Sequence, residues 1–191
     1  MKLPVTRRAR PNPEMFLHYR RMLVLALLAP VAAPALAAQS PAPVEPAPWV
    51  VADPVARTAT LTLEVTAPPD EASALLNGYR DGGVQVVVPL GWTVTWDWRS
   101  ADSAGKHSLV VMAEREKLPM EGGPSAFTNA LSRSVTAGLA VGQTDRTTFV
   151  AGEQGWYWLL CGVPEHALAG EWIGLRVDPE ATTAGIKVKG S

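Results

Sequence analysis

The sequence predicts an all-β domain, a sandwich or barrel of short strands. Three observations predict it. Apolar and polar residues alternate in several short runs, the signature of strands with one buried face. Turn residues punctuate those runs at regular intervals: Asn77-Gly78, Asp81-Gly82-Gly83, Pro89-Leu90-Gly91, Gly122-Gly123-Pro124, Gly152 and Gly155. The aromatic content is weighted towards tryptophan, with seven Trp against three Tyr and three Phe, and 47% of the 191 residues are hydrophobic, enough for a core.

In chain order, Thr58–Thr66 (TATLTLEVT) alternates cleanly. Residues 84–88 form a β-branched run, stopped by Pro89. Residues 92–98 (WTVTWDW) alternate again, with aromatics on one face, and residues 107–113 (HSLVVMA) make a further short strand. Thr144–Val150, residues 155–161 (GWYWLLC) and residues 172–177 (WIGLRV) complete a set of about seven, as expected of a sandwich or barrel. The stretch 114–142 is long, rich in Gly, Ser and Ala, and leaves room for a short helix near 125–132.

The N-terminus reads as an address. Arg7, Arg8, Arg10, Arg20 and Arg21 precede the uncharged run MLVLALLAPVAAPALAA, which ends in the cleavage-like Ala35-Leu36-Ala37. A spanning helix needs ~20 apolar residues, and Pro30 and Pro34 interrupt this run. Residues 1–38 therefore read as a signal peptide, with an uncleaved anchor as the alternative, and the expected location is periplasmic or otherwise extracytoplasmic. The Arg20-Arg21 pair is compatible with twin-arginine export. Residues 39–55, rich in Pro and Ala, read as a stiff linker, and 56–191 as the domain. The net charge of −1 conceals an asymmetry, since residues 1–38 carry five more basic than acidic residues and the remainder six more acidic than basic. That mildly acidic remainder argues against a nucleic-acid partner.

Beyond residue 38 there are two histidines, His107 and His166, and the chain has one cysteine, Cys161. A lone cysteine forms no internal disulfide, and a free thiol outside the cytoplasm is open to oxidation. All three residues sit at predicted strand ends or in adjoining loops. Cys161 closes WYWLLC, His166 follows five residues later in CGVPEH, and His107 opens a separate strand. That spacing lets a thiolate and two imidazoles meet at one end of a sandwich, the donor set of a blue-copper electron-transfer site. Taken singly, a strand cysteine is more often a small buried hydrophobe and a loop histidine a solvated polar residue. The joint placement favours the metal.

At these residues the chain resembles the cupredoxins and, within them, the sulfocyanins. The resemblance runs from about 76 to 177 and is carried by LNGYRDGGVQVVVPLGWTVTWDW, by HSLVVM and most specifically by WYWLLCGVPEHALAGEW, which is similar to the family's Cys-Gly-Val-Pro-x-His-Ala-x-x-Gly-Met-Trp copper loop. It implies a Greek-key β-sandwich of the cupredoxin type holding one type 1 copper and transferring electrons. It also implies His107, Cys161 and His166 as equatorial ligands, and a redox protein as partner, such as a cytochrome or respiratory complex.

The sequence departs from that family in two places. Ser108 stands where an Asn commonly follows the ligand histidine, and Glu171 stands at the axial Met position. Glu171 is expected to bind axially through oxygen and to lower the reduction potential; the alternatives are an outward-turned Glu171 or an axial Met120. A Glu-ligated green or red copper centre with small-molecule chemistry, a copper chaperone or storage protein, and a tetrahedral zinc site are the competing readings. A Cys161/His166 hydrolase is disfavoured because WYWLLC reads as a buried strand.

Overall fold

The computed structural model describes residues 44–71 and 73–190. They form strands β1 (Val50–Asp53), β2 (Thr58–Thr66), β3 (Leu75–Leu76), β4 (Val84–Pro89), β5 (Thr93–Ser100), β6 (Val110–Ala113), β7 (Thr144–Val150), β8 (Gly155–Leu160), β9 (Trp172–Asp178) and β10 (Gly185–Val188). No helix occurs among the described residues.

The strands make two mixed five-stranded sheets. One runs β1-β2-β5-β7, with β3 also paired to β2; the other runs β10-β4-β9-β8-β6. In each, one central pair is parallel, β2 with β5 and β4 with β9, and the other pairs are antiparallel. Parallel neighbours require crossover connections, so strands distant in sequence lie side by side. The antiparallel pairs β6/β8 and β8/β9 set the start of β6, the end of β8 and the start of β9 side by side, which brings the segment at 107 and the loop at 161–171 to the same end of the sandwich.

Alternation sets the core. Ala59, Leu61, Leu63 and Val65 of β2 face inward, as do Val94, Trp96 and Trp98 of β5, against Val84, Val86 and Val88 of β4 and Ile173, Leu175 and Val177 of β9. Each large side chain buried this way contributes roughly 1.5–3 kcal/mol. Trp96 meets Phe149 edge-on at 5.6 Å, and Phe127 stacks on Phe149 and tilts against Tyr157.

The structure corrects the sequence reading in two places. β1 lies inside the stretch taken as a linker, where Val50 to Asp53 pair with Leu61 to Thr58, so the sandwich begins before residue 56. The signal segment read at 1–38 lies outside the described residues. The stretch 125–132 is not helical. Residues 114–142 instead form an irregular strap of bends and turns, whose middle part is joined backbone to backbone along the edge of β6. Ala126 donates to the Val111 carbonyl, Val111 to that of Ala130, and Ser132 to that of Leu109. Its Leu118 and Val135 also cover a second small core on the outer face of β8, built from Val110, Trp158, Leu160 and Ala167. Both faces of β8 are therefore buried around the approach to Cys161.

Candidate metal centre

Four side chains converge at one end of the sandwich. The Nδ1 or Nε2 of His107 and His166, the Sγ of Cys161 and a carboxylate oxygen of Glu171 lie within 4.8 Å of one another. Different parts of the fold position each of them. His107 is held just before β6 by a two-way bridge to the strap, its N–H donating to Leu139 at 3.1 Å and its carbonyl accepting from Leu139 at 2.7 Å. The strap can come this close because Gly138 has φ +69° and a Cβ there would sit 2.9 Å from the His107 nitrogen. Cys161 directly follows β8 and is fully buried. Its N–H donates to the Glu171 carbonyl, and the Glu171 N–H donates to the His166 carbonyl, both at 3.0 Å. The loop from 161 to 171 is thus closed by its own backbone, with three of its side chains pointing to one spot.

The contacts within the cluster are close. The two Glu171 oxygens lie 2.8 and 2.9 Å from His107 Nδ1, and Oε2 lies 3.0 Å from His166 Nδ1. Cys161 Sγ lies 3.6 Å from His166 Nδ1 and accepts the Ser108 backbone N–H at 3.4 Å. The imidazole rings are 5.1 Å apart, inclined at 54°. Ser108 stands where Asn is common, yet it still links the segments: its hydroxyl donates to the Val135 carbonyl and accepts the Gly162 N–H at 2.9 Å.

The four candidate donors named from the sequence are therefore brought together. Glu171 is turned in, only 3% exposed, whereas Met120 is 58% exposed. In the loop beside His166, Leu168 is exposed, whereas Ala167 is fully buried against Trp158 and Leu160. Sequence reasoning missed Asp102. Its Oδ2 lies 2.7 Å from His107 Nε2, on the far side of the ring from Glu171. The available signal was a carboxylate opening the turn Asp102-Ser103-Ala104-Gly105-Lys106 just before a candidate ligand.

These contacts shift the acid–base balance. Burial alone would raise Glu171, but His107 and His166 hold its carboxyl below the usual range. Burial would likewise raise Asp102, but the Ala104 amide and His107 hold it low. Burial works against a charge on His107, yet the Cys161 sulfur and the Glu171 and Asp102 carboxylates push it up to about 10. Cys161 and Glu171 raise His166 to about 9 against the opposing effect of burial. Without metal, both imidazoles are therefore protonated at neutral pH, and a metal must displace a proton from each Nδ1. Below pH about 9, the two imidazole protons alone raise the apparent affinity roughly 100-fold per pH unit, which is the least slope expected. A competition titration between pH 6 and 8 is expected to show at least that slope; a flat profile would show that the imidazole protons are not displaced.

The donor set fits copper. A buried thiolate suits Cu(I), the two imidazole nitrogens suit both oxidation states, and a fourth, harder oxygen donor suits Cu(II). A sandwich with a cysteine, two histidines and a fourth donor gathered at one end defines a cupredoxin, a mononuclear copper protein of β fold. The comparison with protein families is more specific. The model of the sulfocyanin (SoxE) domain matches residues 49–186, and the chain belongs to that family.

Among solved structures, rusticyanin from Thiobacillus ferrooxidans is 18% identical, with 64% of this chain and 82% of that one covered at a TM-score of 0.42. Auracyanin from Roseiflexus castenholzii is 24% identical, with 62% and 97% covered at 0.43. A copper-containing nitrite reductase from Thermus scotoductus is 21% identical over 64% of this chain and 28% of its own length, at 0.45. A search of curated proteins finds no match.

Proposed function

We propose that this domain carries single electrons between redox proteins outside the cytoplasm, with copper held by His107, Cys161, His166 and Glu171. Bound copper supplies reversible one-electron exchange. The protein's contribution is to hold the donors still. His107, Cys161 and Glu171 are buried, and the backbone of each is held by hydrogen bonds, His107 to Leu139 of the strap and the other two within the 161–171 loop. A site that cannot rearrange suits both oxidation states without large movement, which favours carrying electrons over releasing metal.

The observation that carries this reading is the asymmetry of the site. His107 is 3% exposed at its side chain, whereas His166 is 31% exposed and is the ligand that reaches the surface. Leu168 of the same loop is 51% exposed, and Met120, whose carbonyl accepts the Glu165 N–H, is 58% exposed. Exposed apolar side chains carried on the ligand loop give a redox protein, a cytochrome or a respiratory complex, a surface that desolvates readily on brief docking. Export is supported by the basic segment and apolar run at 1–38.

The test is repeated redox cycling of the copper-loaded domain. Expected are a strong thiolate-to-copper band that bleaches with one electron per protein and returns on oxidation, and retention of copper in the reduced state against a moderate chelator. Loss of copper on reduction would instead identify a storage or delivery protein, and absence of the band would remove the thiolate from the site.

A further inference from the structure

The face of His107 turned away from the donor cluster has its own buried acid. Asp102 is 7% exposed and His107 is 2% exposed, and Oδ2 meets Nε2 at 2.7 Å. The other oxygen, Oδ1, accepts the Ala104 backbone N–H at 2.7 Å, which fixes the carboxylate within its own turn. Gly105 closes the space beside the pair: a Cβ there would lie 2.7 Å from Asp102 Oδ2 and 2.9 Å from His107 Nε2. A side chain at position 105 would crowd the hydrogen bond. His166, the other imidazole, has no such carboxylate on the side of its ring away from the cluster among the described residues; its Nδ1 contacts are Cys161 and Glu171.

We propose that Asp102 is a positioning residue for copper: it holds the proton of His107 on Nε2, presents Nδ1 to the metal and makes that imidazole a stronger donor. An anionic acceptor on the remote nitrogen fixes the tautomer and ring orientation of a ligating histidine and raises its basicity. A more basic nitrogen favours the harder Cu(II) over Cu(I). The negative charge of Asp102, buried beside the ring, acts in the same direction. This inference rests on His107 being a ligand, and it adds a residue that the copper loop does not contain.

Two variants test it. Asp102→Asn keeps an acceptor of the same shape without charge, and Asp102→Ala removes the acceptor. The first guards against a folding failure of the second. Both are loaded with copper and compared with the unaltered domain by Cu(II) and Cu(I) competition titrations and by potentiometry. In both variants the ratio of Cu(II) to Cu(I) affinity is expected to fall about tenfold, a rise in potential of ~59 mV for one electron. Absolute Cu(II) affinity in Asp102→Ala is expected to fall roughly 10–100-fold. In the copper-free protein at a pH above the His107 titration, ¹⁵N chemical shifts are expected to show less of the Nε2-protonated tautomer in Asp102→Ala than in the unaltered domain, because Glu171 at Nδ1 then holds the proton unopposed. A purely structural role would lower the melting temperature and leave potential and tautomer unchanged; that result would overturn the proposal. If the unaltered domain itself fails to bind copper with a thiolate band, the ligand assignment fails instead.

Discussion

Cys161→Ser is expected to abolish the intense visible absorption of the copper-loaded domain and to weaken Cu(I) binding beyond the ~10–100-fold that loss of an outer partner of a ligand costs. Cys161 is the only cysteine in the chain, so no second thiol can take its place. It is fully buried, its backbone N–H is held by the Glu171 carbonyl, and its sulfur accepts the Ser108 N–H. A serine would therefore occupy the same place and the same backbone geometry. The change isolates the chemistry of the donor atom: a hydroxyl is a hard oxygen ligand, poor for Cu(I) and without the thiolate transition that gives colour. Stability of the copper-free form is expected to fall by only ~1 kcal/mol, since the new hydroxyl keeps a hydrogen-bond partner at Ser108. Absorption spectra and chelator competition on the two proteins check this, and a variant that keeps its colour would remove Cys161 from the centre.

The donors were legible in the sequence because their residue types are scarce. With two histidines and one cysteine beyond residue 38, strand-end placement was enough to group them. Strands with alternating polarity were equally readable: β2 falls at the expected residues because every second side chain enters the core, and β7 does so although Phe149 is its one buried side chain. Other features left no such pattern. β1 and β10 are four residues each, too short for alternation to stand out, and β1 lies within a Pro/Ala-rich stretch that reads as linker. The strap at 114–142 is held by backbone donors and acceptors along β6, a type of contact on which side-chain composition is silent. Asp102 was hidden for a related reason. It accepts the Ala104 N–H like any turn-opening aspartate, and only the fold shows that its second oxygen faces His107.

Glu171→Met is expected to raise the reduction potential by on the order of 100 mV and to move the visible spectrum towards that of a Met-ligated blue site. Glu171 is 3% exposed, with its oxygens 2.8 and 2.9 Å from His107 Nδ1 and one of them 3.0 Å from His166 Nδ1. Its backbone N–H and carbonyl are both engaged within the loop, so the side chain is aimed inward and a methionine of similar reach would follow the same path. The substitution removes a negative charge and exchanges a hard donor for a soft one, and both changes favour Cu(I). Two unit charges ~4 Å apart interact by ~4 kcal/mol at the effective dielectric of a protein site. Since 1.4 kcal/mol corresponds to ~59 mV for one electron, even partial expression of that energy gives the expected shift. Glu171→Gln separates the two contributions, because it removes the charge and keeps an oxygen donor, and its potential is expected to fall between those of the unaltered and Met proteins. Loss of the carboxylate also removes one of the interactions that raise both histidines, so copper loading of either variant is expected to depend less steeply on pH. Potentials for all three proteins within ~20 mV of one another, less than a threefold change in relative affinity, would show that the carboxylate does not touch the metal.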